Sequence, residues 1–178
     1  MTEPKGGFDY QPFLKGELLE LRPLAAADYD DLFAVASDPL IWVLHPDQTR
    51  CKPDGFRAFF DQSLASGGAL VAIDVSTRRI IGSSRYHAFN PQTREVEIGW
   101  TFLSRAYWGG RYNGEMKRLM LEHAFKFVDS VVLLIGPENL RSQKAAEKIG
   151  AVRDGERRDA HGRESLVYHI TATGRRKR

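Results

Sequence analysis

The chain has 178 residues, a formal net charge of +3 and a hydrophobic fraction of 42%, which suits one ordinary packed domain. Its single cysteine, Cys51, excludes an intramolecular disulfide and any metal site built on several cysteines, and it indicates a reducing, cytoplasmic setting. No apolar run approaches ~20 residues and the first residues lack a signal-peptide pattern, so neither a membrane-spanning helix nor a signal peptide is expected.

The positive charge is concentrated at the C-terminus. The last four residues are all basic, so the remainder of the chain carries a net charge of −1. Such a run is usually solvated, and contact with nucleic acid or the ribosome through it is the less favoured alternative. We therefore expect a flexible N-terminus at 1–12, a single domain at 13–171 and a basic flexible tail at 172–178.

A strand and two helices come first in chain order. Residues 14–21 alternate as a strand does, and Pro23 ends the pattern. Residues 25–36 and 53–65 place apolar and aromatic side chains at helical spacing, and the second segment begins with a proline, a typical first helical residue.

The segment between these helices, 40–51, predicts a short helical turn followed by a loop. It contains Trp42, His45 and Asp47. An exposed Trp and His on a loop would suit a small-molecule pocket. The alternative is that Trp42 anchors the loop or the core.

Three strands follow. Residues 69–75 and 80–86 predict a hairpin, 87–92 a loop, and 94–103 a third strand. Strict alternation along the third strand would give it two different faces. One face would carry Val96, Ile98, Trp100 and Phe102, and the other Glu95, Glu97, Gly99 and Thr101.

The next stretch, 107–128, predicts a tight glycine turn that opens into an amphipathic helix. Trp108, Gly109 and Gly110 form the turn, and the helix begins between 111 and 114. Backbone N–H groups at a helix N-terminus lack intrahelical acceptors, and the helix dipole adds partial positive charge there. The pattern therefore suits a phosphate site, although a turn that merely reverses the chain has the same composition.

The last third of the chain predicts a buried strand, a helix and a hairpin. Residues 129–136 form a β-branched apolar run, which suits a strand parallel to its predecessor. Residues 137–150 predict a helix with Asn139 as N-cap, and 151–158 and 163–170 predict the hairpin. The element order, β-α-α-β-β-β-α-β-α-β-β, indicates an α/β or α+β fold with helices on both faces of a mixed sheet.

Two motifs resemble the GCN5-related N-acetyltransferases, and within them the RimJ/RimL-like branch. They are EIGWTFLSRAYWGGRYNGEMKRLMLEHAF, from Glu97, and NLRSQKAAEKIGAV, from Asn139. The agreement in element order extends from about 15 to 170. The resemblance implies a mixed, mostly antiparallel central sheet of about seven strands, with acetyl-CoA as co-substrate and no metal.

The phosphate loop departs from the usual family pattern, Q/R-x-x-G-x-G/A. Arg111 stands where glycine is usual, and Asn113 stands where glycine or alanine is usual. Arg111 could add a charge-assisted contact to a phosphate, and asparagine tolerates a left-handed backbone.

The resemblance also implies which residues bind the cofactor. The pantetheine arm would lie between the parallel strands 95–103 and 131–135, beside backbone groups near Thr101, and the pyrophosphate would lie in the glycine turn. The expected cofactor-binding residues are Trp100, Thr101, Phe102, Trp108, Gly109, Gly110, Arg111, Tyr112, Asn113, Gly114, Asn139, Ser142 and Lys144.

Acetylation of an amine requires a base for the amine and an acid for the thiolate. By resemblance Glu97 is the candidate base, directly or through water, and Ser142 the candidate acid. Each has a structural alternative: an ion pair for Glu97, and helix capping for Ser142. The expected substrate-binding residues are Trp42, His45, Tyr86 and Glu97.

The sequence therefore predicts an N-acetyltransferase that moves acetyl from acetyl-CoA to a primary amine by direct attack. The acceptor would be a protein N-terminus or a small-molecule amine. The alternative is an inactive CoA-binding or protein-interaction module on the same fold, suggested by the altered loop. A homodimer is compatible with the resemblance, whereas binding to membranes or nucleic acid is not expected.

Overall fold

The computed structural model describes residues 7–175, and these build one eight-stranded sheet in the order β1-β2-β3-β4-β5-β6-β8-β7. Neighbouring strands are antiparallel except β5 and β6, which are parallel. The strands are β1 (Leu14–Lys15), β2 (Leu19–Pro23), β3 (Ala69–Asp74), β4 (Ile80–Asn90), β5 (Glu95–Leu103), β6 (Ser130–Ile135), β7 (Val152–Arg158) and β8 (Glu164–Thr171).

The helices lie on both faces of this sheet. They are α1 (Tyr29–Ala36), α2 (Pro53–Ser66), α3 (Tyr112–Ala124), α4 (Leu140–Lys148) and a short final turn, α5 (Ala172–Arg175). Short 3-10 turns cover Ala26–Asp28, Pro39–Ile41, Gln48–Cys51 and Arg105–Tyr107. No helix in the described range is long and apolar enough to cross a membrane.

Two hydrophobic clusters form the core, one on each face of the sheet. The first packs Met116 and Met120 of α3 and Ala146 of α4 against the central strands. The second packs Leu32 of α1 and Phe56 of α2 against the opposite face. Side chains alternate between the two faces of a strand, so one sheet supplies both clusters. The predicted mixed, mostly antiparallel sheet with helices on both faces is confirmed.

The eighth strand arises because the predicted first strand, 14–21, is a small hairpin. Gly16 donates its N–H to the carbonyl of Leu19 at 2.9 Å and turns the chain between β1 and β2. A Cβ at Gly16 would lie 2.6 Å from the Glu115 carboxylate, so a larger residue there would displace that side chain. The predicted loop at 87–92 is also wrong in its first part, because β4 continues to Asn90.

Phe8, near the start of the described residues, belongs to the core. It is 6% exposed and packs edge-on against Tyr86, with ring centroids 4.9 Å apart. This aromatic side chain lies within the segment 1–12 that the sequence predicts to be flexible, and it packs in the cluster between the sheet and α3. Residues 172–175 form a helical turn, and 1–6 and 176–178 lie outside the described residues.

A bulge in β5 is the largest local departure from the predicted pattern. Trp100 has a φ of 52°, in the left-handed region. Ser83 pairs with Phe102 and Arg85 with Gly99, so β5 contains one more residue than β4 between these pairs. An extra residue of this kind reverses the alternation of the side chains that follow it.

The bulge corrects the predicted faces of β5. Trp100 and Phe102 pack with the α1–α2 cluster rather than beside Val96 and Ile98. Thr101 does not lie beside Glu97 but on the α3 side of the sheet. There its hydroxyl accepts a 2.6 Å hydrogen bond from Lys117 Nζ. Burial lowers the pKa of that ammonium to about 8.

Strands β5 and β6 stop pairing before the bulge. They pair from Glu95 with Ser130 to Glu97 with Val132. The carboxyl-terminal halves of the two parallel strands therefore leave a gap between them, at the end where α3 begins. The parallel pair predicted from the sequence is confirmed.

Glu115 ties the start of α3 to the β1–β2 turn. Its carboxylate accepts hydrogen bonds from the backbone N–H groups of Glu17, Leu18 and Leu19 at 3.0, 2.8 and 2.9 Å. Glu115→Ala should lower the free energy of unfolding by about 1–3 kcal/mol, because these donors lose their acceptor. Chemical denaturation measures the loss.

The matched control for Glu115→Ala is Glu122→Ala, which removes an exposed ion pair with Arg118 on the same helix. An exposed pair of this kind contributes less than about 0.5 kcal/mol. Equal losses in the two variants would contradict a special role for Glu115 in holding the hairpin.

Candidate active site

The N-terminus of α3 presents a run of backbone amides without acceptors. Among the described residues, no backbone N–H from Gly109 to Gly114 has a hydrogen-bond acceptor, and the first helical bond runs from Glu115 to Arg111. Gly109 turns the chain with a φ of 70°. A Cβ at Gly110 would meet no atom within 4 Å, so the space in front of these amides is open. The arrangement fits a phosphate group.

Two aromatic residues of the predicted cofactor set hold the loop in place. The Trp108 indole donates to the carbonyl of Leu103 at 2.9 Å, and its backbone N–H donates to Arg105 at 3.0 Å. The Trp108 amide is therefore already paired, unlike those that follow it. The Tyr112 hydroxyl donates to Asp74 at 3.2 Å, so this side chain points away from the amides of 109–114 towards β3. Arg111 and Lys144 are exposed.

The start of α4 lies beside the end of β6. Asn139 is buried, and its side-chain oxygen accepts the backbone N–H of Ser142 at 3.2 Å, so its predicted role as N-cap is confirmed. Ser142 is half-buried in the first turn. Arg141 stacks on the ring of Trp108 at 3.8 Å and donates to the carbonyl of Ile41 at 3.0 Å. This arginine joins α4, the glycine turn and the α1–α2 loop.

Glu97 occupies the last recorded pair of β5 before the gap opens. Burial raises the pKa of its carboxyl group to about 7, although the charges of Arg157 and Arg85 act in the opposite direction. Among the ion pairs of residues 7–175, none includes Glu97. The alternative reading of Glu97 as a structural ion pair therefore finds no support, and a carboxyl group that titrates near neutral pH suits proton transfer.

Glu95, two residues earlier on the same face, has a different environment. Its carboxylate lies 3.0 Å from Nε2 of His169 and 3.8 Å from the guanidinium of Arg157. These contacts hold Glu95 in an ion-pair cluster, so it is a weaker candidate base than Glu97.

Two side chains of β4 lie on the same face as Glu97. His87 pairs directly with Glu97, and Arg85 with Gly99. The Arg85 guanidinium stacks 4.2 Å above the Trp100 ring, and its NH2 group donates to the Ser63 hydroxyl at 2.6 Å. Burial, followed by the charge of Arg50, lowers the pKa of Arg85 to about 10, although the charge of Glu97 acts in the opposite direction.

The α1–α2 loop closes this region from the side. Trp42 is 2% exposed and its indole donates to the carbonyl of Ala36 at 2.8 Å, so it is the loop anchor that the sequence allowed as an alternative. His45 is half-buried, and burial followed by the charge of Arg50 lowers its pKa to about 4. His45 is therefore neutral at pH 7. Its Nδ1 accepts the backbone N–H of Asp47 at 2.9 Å.

Tyr86 does not belong to the site. Its side chain is 1% exposed and points to the α3 face, where the hydroxyl donates to the carbonyl of Met120 at 2.6 Å. The expected substrate-binding role is wrong, because alternation along β4 places Tyr86 opposite in direction to Arg85 and His87.

The structure brings together three residues that the sequence analysis missed, Arg50, Arg85 and His87. The usable signal was the polar content of β4, since Ser83, Ser84 and Arg85 are polar residues in the buried part of this strand. Buried polar residues are more informative than buried apolar ones. Arg50 gave no comparable signal, because it lies in a loop whose packing the sequence does not specify.

Comparisons with known proteins agree with this architecture. Residues 19–152 match the family model described as "Acetyltransferase (GNAT) domain". No curated protein sequence matches the chain.

The solved structures with similar folds include three from bacteria. A GCN5-related N-acetyltransferase from Brucella melitensis has 19% identity and a TM-score of 0.81, over 97% of this chain and 82% of that one. A GNAT-family acetyltransferase from Bacillus anthracis has 22% identity and a TM-score of 0.71, over 90% and 98%. A spermidine N-acetyltransferase from Vibrio cholerae, solved with CoA and spermine, has 14% identity and a TM-score of 0.66, over 91% and 100%.

The family model covers most of the chain, and its range includes β5, β6 and the amide run at the start of α3. The chain therefore belongs to the GNAT acetyltransferase family.

Proposed function

We propose that the protein transfers an acetyl group from acetyl-CoA to a primary amine, with Glu97 as the base. The observation that carries the proposal is the Glu97 carboxyl group, half-buried beside the gap between β5 and β6 with a pKa of about 7. A base of this pKa is unprotonated in a large fraction of molecules at neutral pH and still accepts a proton readily.

The cofactor would be held by backbone groups more than by side chains. The free amides of 109–114 would bind the pyrophosphate, and the gap between β5 and β6 would receive the pantetheine arm. Bound acetyl-CoA supplies the activated acetyl group. The unusual Arg111 and Asn113 leave the amide run open, which argues against the alternative of an inactive module.

The chain's own groups then handle the protons. Glu97 would take the proton of the attacking amine, directly or through one water. Ser142, half-buried in the first turn of α4, would donate a proton towards the departing thiolate. Asn139 would orient Ser142, since its side chain caps the same turn. The RimJ/RimL-like branch and the domain limits 13–171 remain sequence-based predictions.

The pH dependence of turnover tests this role for Glu97. The base works when it has lost its proton, so the rise of kcat/KM with pH should contain an inflection at about 7, separate from the inflection that comes from deprotonation of the amine. The pH profile of kcat/KM, measured by thiol release with two amines of different pKa, separates the Glu97 carboxyl group from the amine. The inflection from Glu97 stays at the same pH with both amines, whereas the inflection from the amine follows its pKa. An inflection that follows only the amine would contradict the proposal.

A further inference from the structure

Arg85 is a buried cation without an ion-pair partner. It is 6% exposed, and among the ion pairs of residues 7–175 none includes it. The Ser63 hydroxyl accepts one hydrogen bond from its NH2 group, but its Nε has no acceptor. A buried charge in this condition is costly unless an anion compensates it.

Two unpaired buried nitrogens belong to neighbouring arginines. Among the described residues, the buried side-chain nitrogens without a hydrogen-bond partner are Nε of Arg50, Nε of Arg85 and Nδ1 of His169. His169 has an anion beside it, because its Nδ1 lies 3.1 Å from a carboxylate oxygen of Asp154. Unsatisfied buried groups in a native fold call for an explanation, and the two arginine nitrogens point to a missing acceptor.

Phe59 of α2 brings the two arginines together. The guanidinium carbons of Arg50 and Arg85 lie 4.5 and 5.9 Å from the centroid of its ring. The Arg50 side chain is 14% exposed and lies 3.4 Å from one oxygen of Asp47, an ion pair that leaves its Nε without a hydrogen bond. Both guanidinium groups therefore lie against the same ring, near enough for the charge of Arg50 to lower the pKa of Arg85, and Asp47 contacts Arg50.

The neighbouring charges do not supply the missing anion. Arg157 and Arg163 lie near enough to affect Glu97 and Arg50 respectively, and both add positive charge. Glu95 is already bound to His169 and Arg157, and Asp159 lies 3.4 Å from Arg163. The charge of Glu97 does act on Arg85, but a base loses its negative charge when it takes a proton.

The position of Arg85 relative to Glu97 suits a small bifunctional molecule. Arg85 pairs with Gly99 and His87 with Glu97, so Arg85 and Glu97 are diagonal neighbours on one face. Their Cβ atoms are therefore separated by about 7–8 Å or somewhat less. A molecule that places an amine at Glu97 can reach Arg85 with a group only a few bonds away.

We infer that the acceptor amine carries an anionic group, a carboxylate or phosphate, that binds at Arg85 and Arg50. This inference rests on the proposed acetyl transfer and specifies its substrate class, of which a free amino acid is the simplest example. Guanidinium groups match carboxylate and phosphate geometry with two parallel hydrogen bonds. Polyamines are disfavoured, because their several positive charges would approach Arg50, Arg85 and Arg157 together.

The test measures thiol release from acetyl-CoA with matched acceptors. Each L-amino acid is compared with its α-amide and with its decarboxylated amine, which lack the carboxylate. Phosphoethanolamine is compared with ethanolamine, which lacks the phosphate. Spermidine represents the polyamines. The expected result is that the best anionic acceptor exceeds its neutral counterpart in kcat/KM by about 10²-fold or more, because the neutral compound leaves buried donors unpaired. The carboxylate and phosphate pairs distinguish the two kinds of anion.

The variants connect this preference to Arg85. Arg85→Gln should reduce the preference for the anionic member of the best pair to less than about tenfold, whereas Arg85→Lys should keep part of it. The matched control is Arg57→Gln. Arg57 is on α2, as Phe59 is, but its guanidinium group stacks 3.6 Å above the ring of Tyr29 instead of contacting Phe59. Arg85→Met provides a second variant in case glutamine impairs folding, since it removes the buried charge and keeps the apolar stem.

The outcomes separate the inference from the proposed function. Equal turnover of anionic and neutral amines, or a full preference in folded Arg85→Gln, would overturn the anion site and leave acetyl transfer intact. Faster turnover of spermidine than of any anionic acceptor would also overturn it. No thiol release with any amine, from protein that still binds acetyl-CoA, would overturn the proposed function and this inference with it.

Discussion

Glu97→Gln is expected to lower kcat by about 10²–10⁴-fold, because it removes the group that takes the proton from the amine. The side chain keeps its shape, so the affinity for acetyl-CoA should change little. The rise of kcat/KM through pH 7 should disappear with the carboxyl group. Steady-state kinetics across pH 5.5 to 9, combined with thermal shifts by acetyl-CoA, measure all three effects.

A stability measurement supports the same assignment without relying on activity. The folded-state pKa of Glu97 is about 7, above its ordinary value, so the folded protein holds more protons than the unfolded chain in the window between them. The free energy of unfolding of the wild type should therefore fall as pH rises through this window. Glutamine does not ionise, so the variant lacks this pH-dependent loss. The free energy of unfolding of Glu97→Gln, compared with that of the wild type at the same pH, should therefore be more favourable at pH 8 than at pH 5.

Glu95→Gln is the matched control for the activity measurement. Glu95 lies on the same strand and face, but its carboxylate is paired with His169 and Arg157. Its replacement should reduce kcat far less than that of Glu97. A similar loss in both variants, or normal turnover in Glu97→Gln, would remove Glu97 as the base.

Gly110→Val is expected to weaken acetyl-CoA binding by at least about tenfold while the protein folds normally. A Cβ at Gly110 would meet no protein atom within 4 Å, and the residue has no left-handed φ, so valine costs the fold little. The added methyl groups would occupy the space in front of the free amides of 109–114, where the pyrophosphate would bind. A tenfold loss corresponds to about 1.4 kcal/mol.

Thermal unfolding provides the measurement. Acetyl-CoA at about 100 times its dissociation constant stabilises the wild type by about 2.7 kcal/mol, which shifts Tm by several degrees in a domain of this size. Gly110→Val should lose most of this shift at the same ligand concentration. ATP is the ligand control, and Ala106→Val is the variant control, since Ala106 is exposed in the turn just before the amide run. An unchanged shift in folded Gly110→Val would show that the phosphate site lies elsewhere.

Local signals in the sequence were sufficient for most of the fold. The apolar run at 130–135 and the helical spacing of α3 depend on residues close together in the chain, so periodicity revealed them. The N-cap at Asn139 is likewise local, and it occurs where the pattern placed it. The candidate base also came from the sequence, through two motifs that resemble those of the family.

The errors arose where one residue altered a long pattern. Strict alternation placed Thr101 beside Glu97, but the bulge at Trp100 turns Thr101 towards Lys117. The bulge depends on pairing between β4 and β5, and the sequence of β5 alone does not contain this information. The substrate-binding role predicted for Tyr86 was wrong for a related reason. Neighbouring residues of a strand point to opposite faces, so a difference of one position decides which face a side chain occupies.

The sequence by itself determined the family, the order of elements, the glycine turn before α3 and Glu97 as the candidate base, because each rests on neighbouring residues. Only the tertiary structure decided the environment of that base and the character of the pocket. Arg50, Arg85 and Glu97 come from a loop and two strands, and they meet because the sheet and α2 fold against each other. Burial of charge and loss of hydrogen-bond partners are properties of that packing, so they become visible only when the chain is folded.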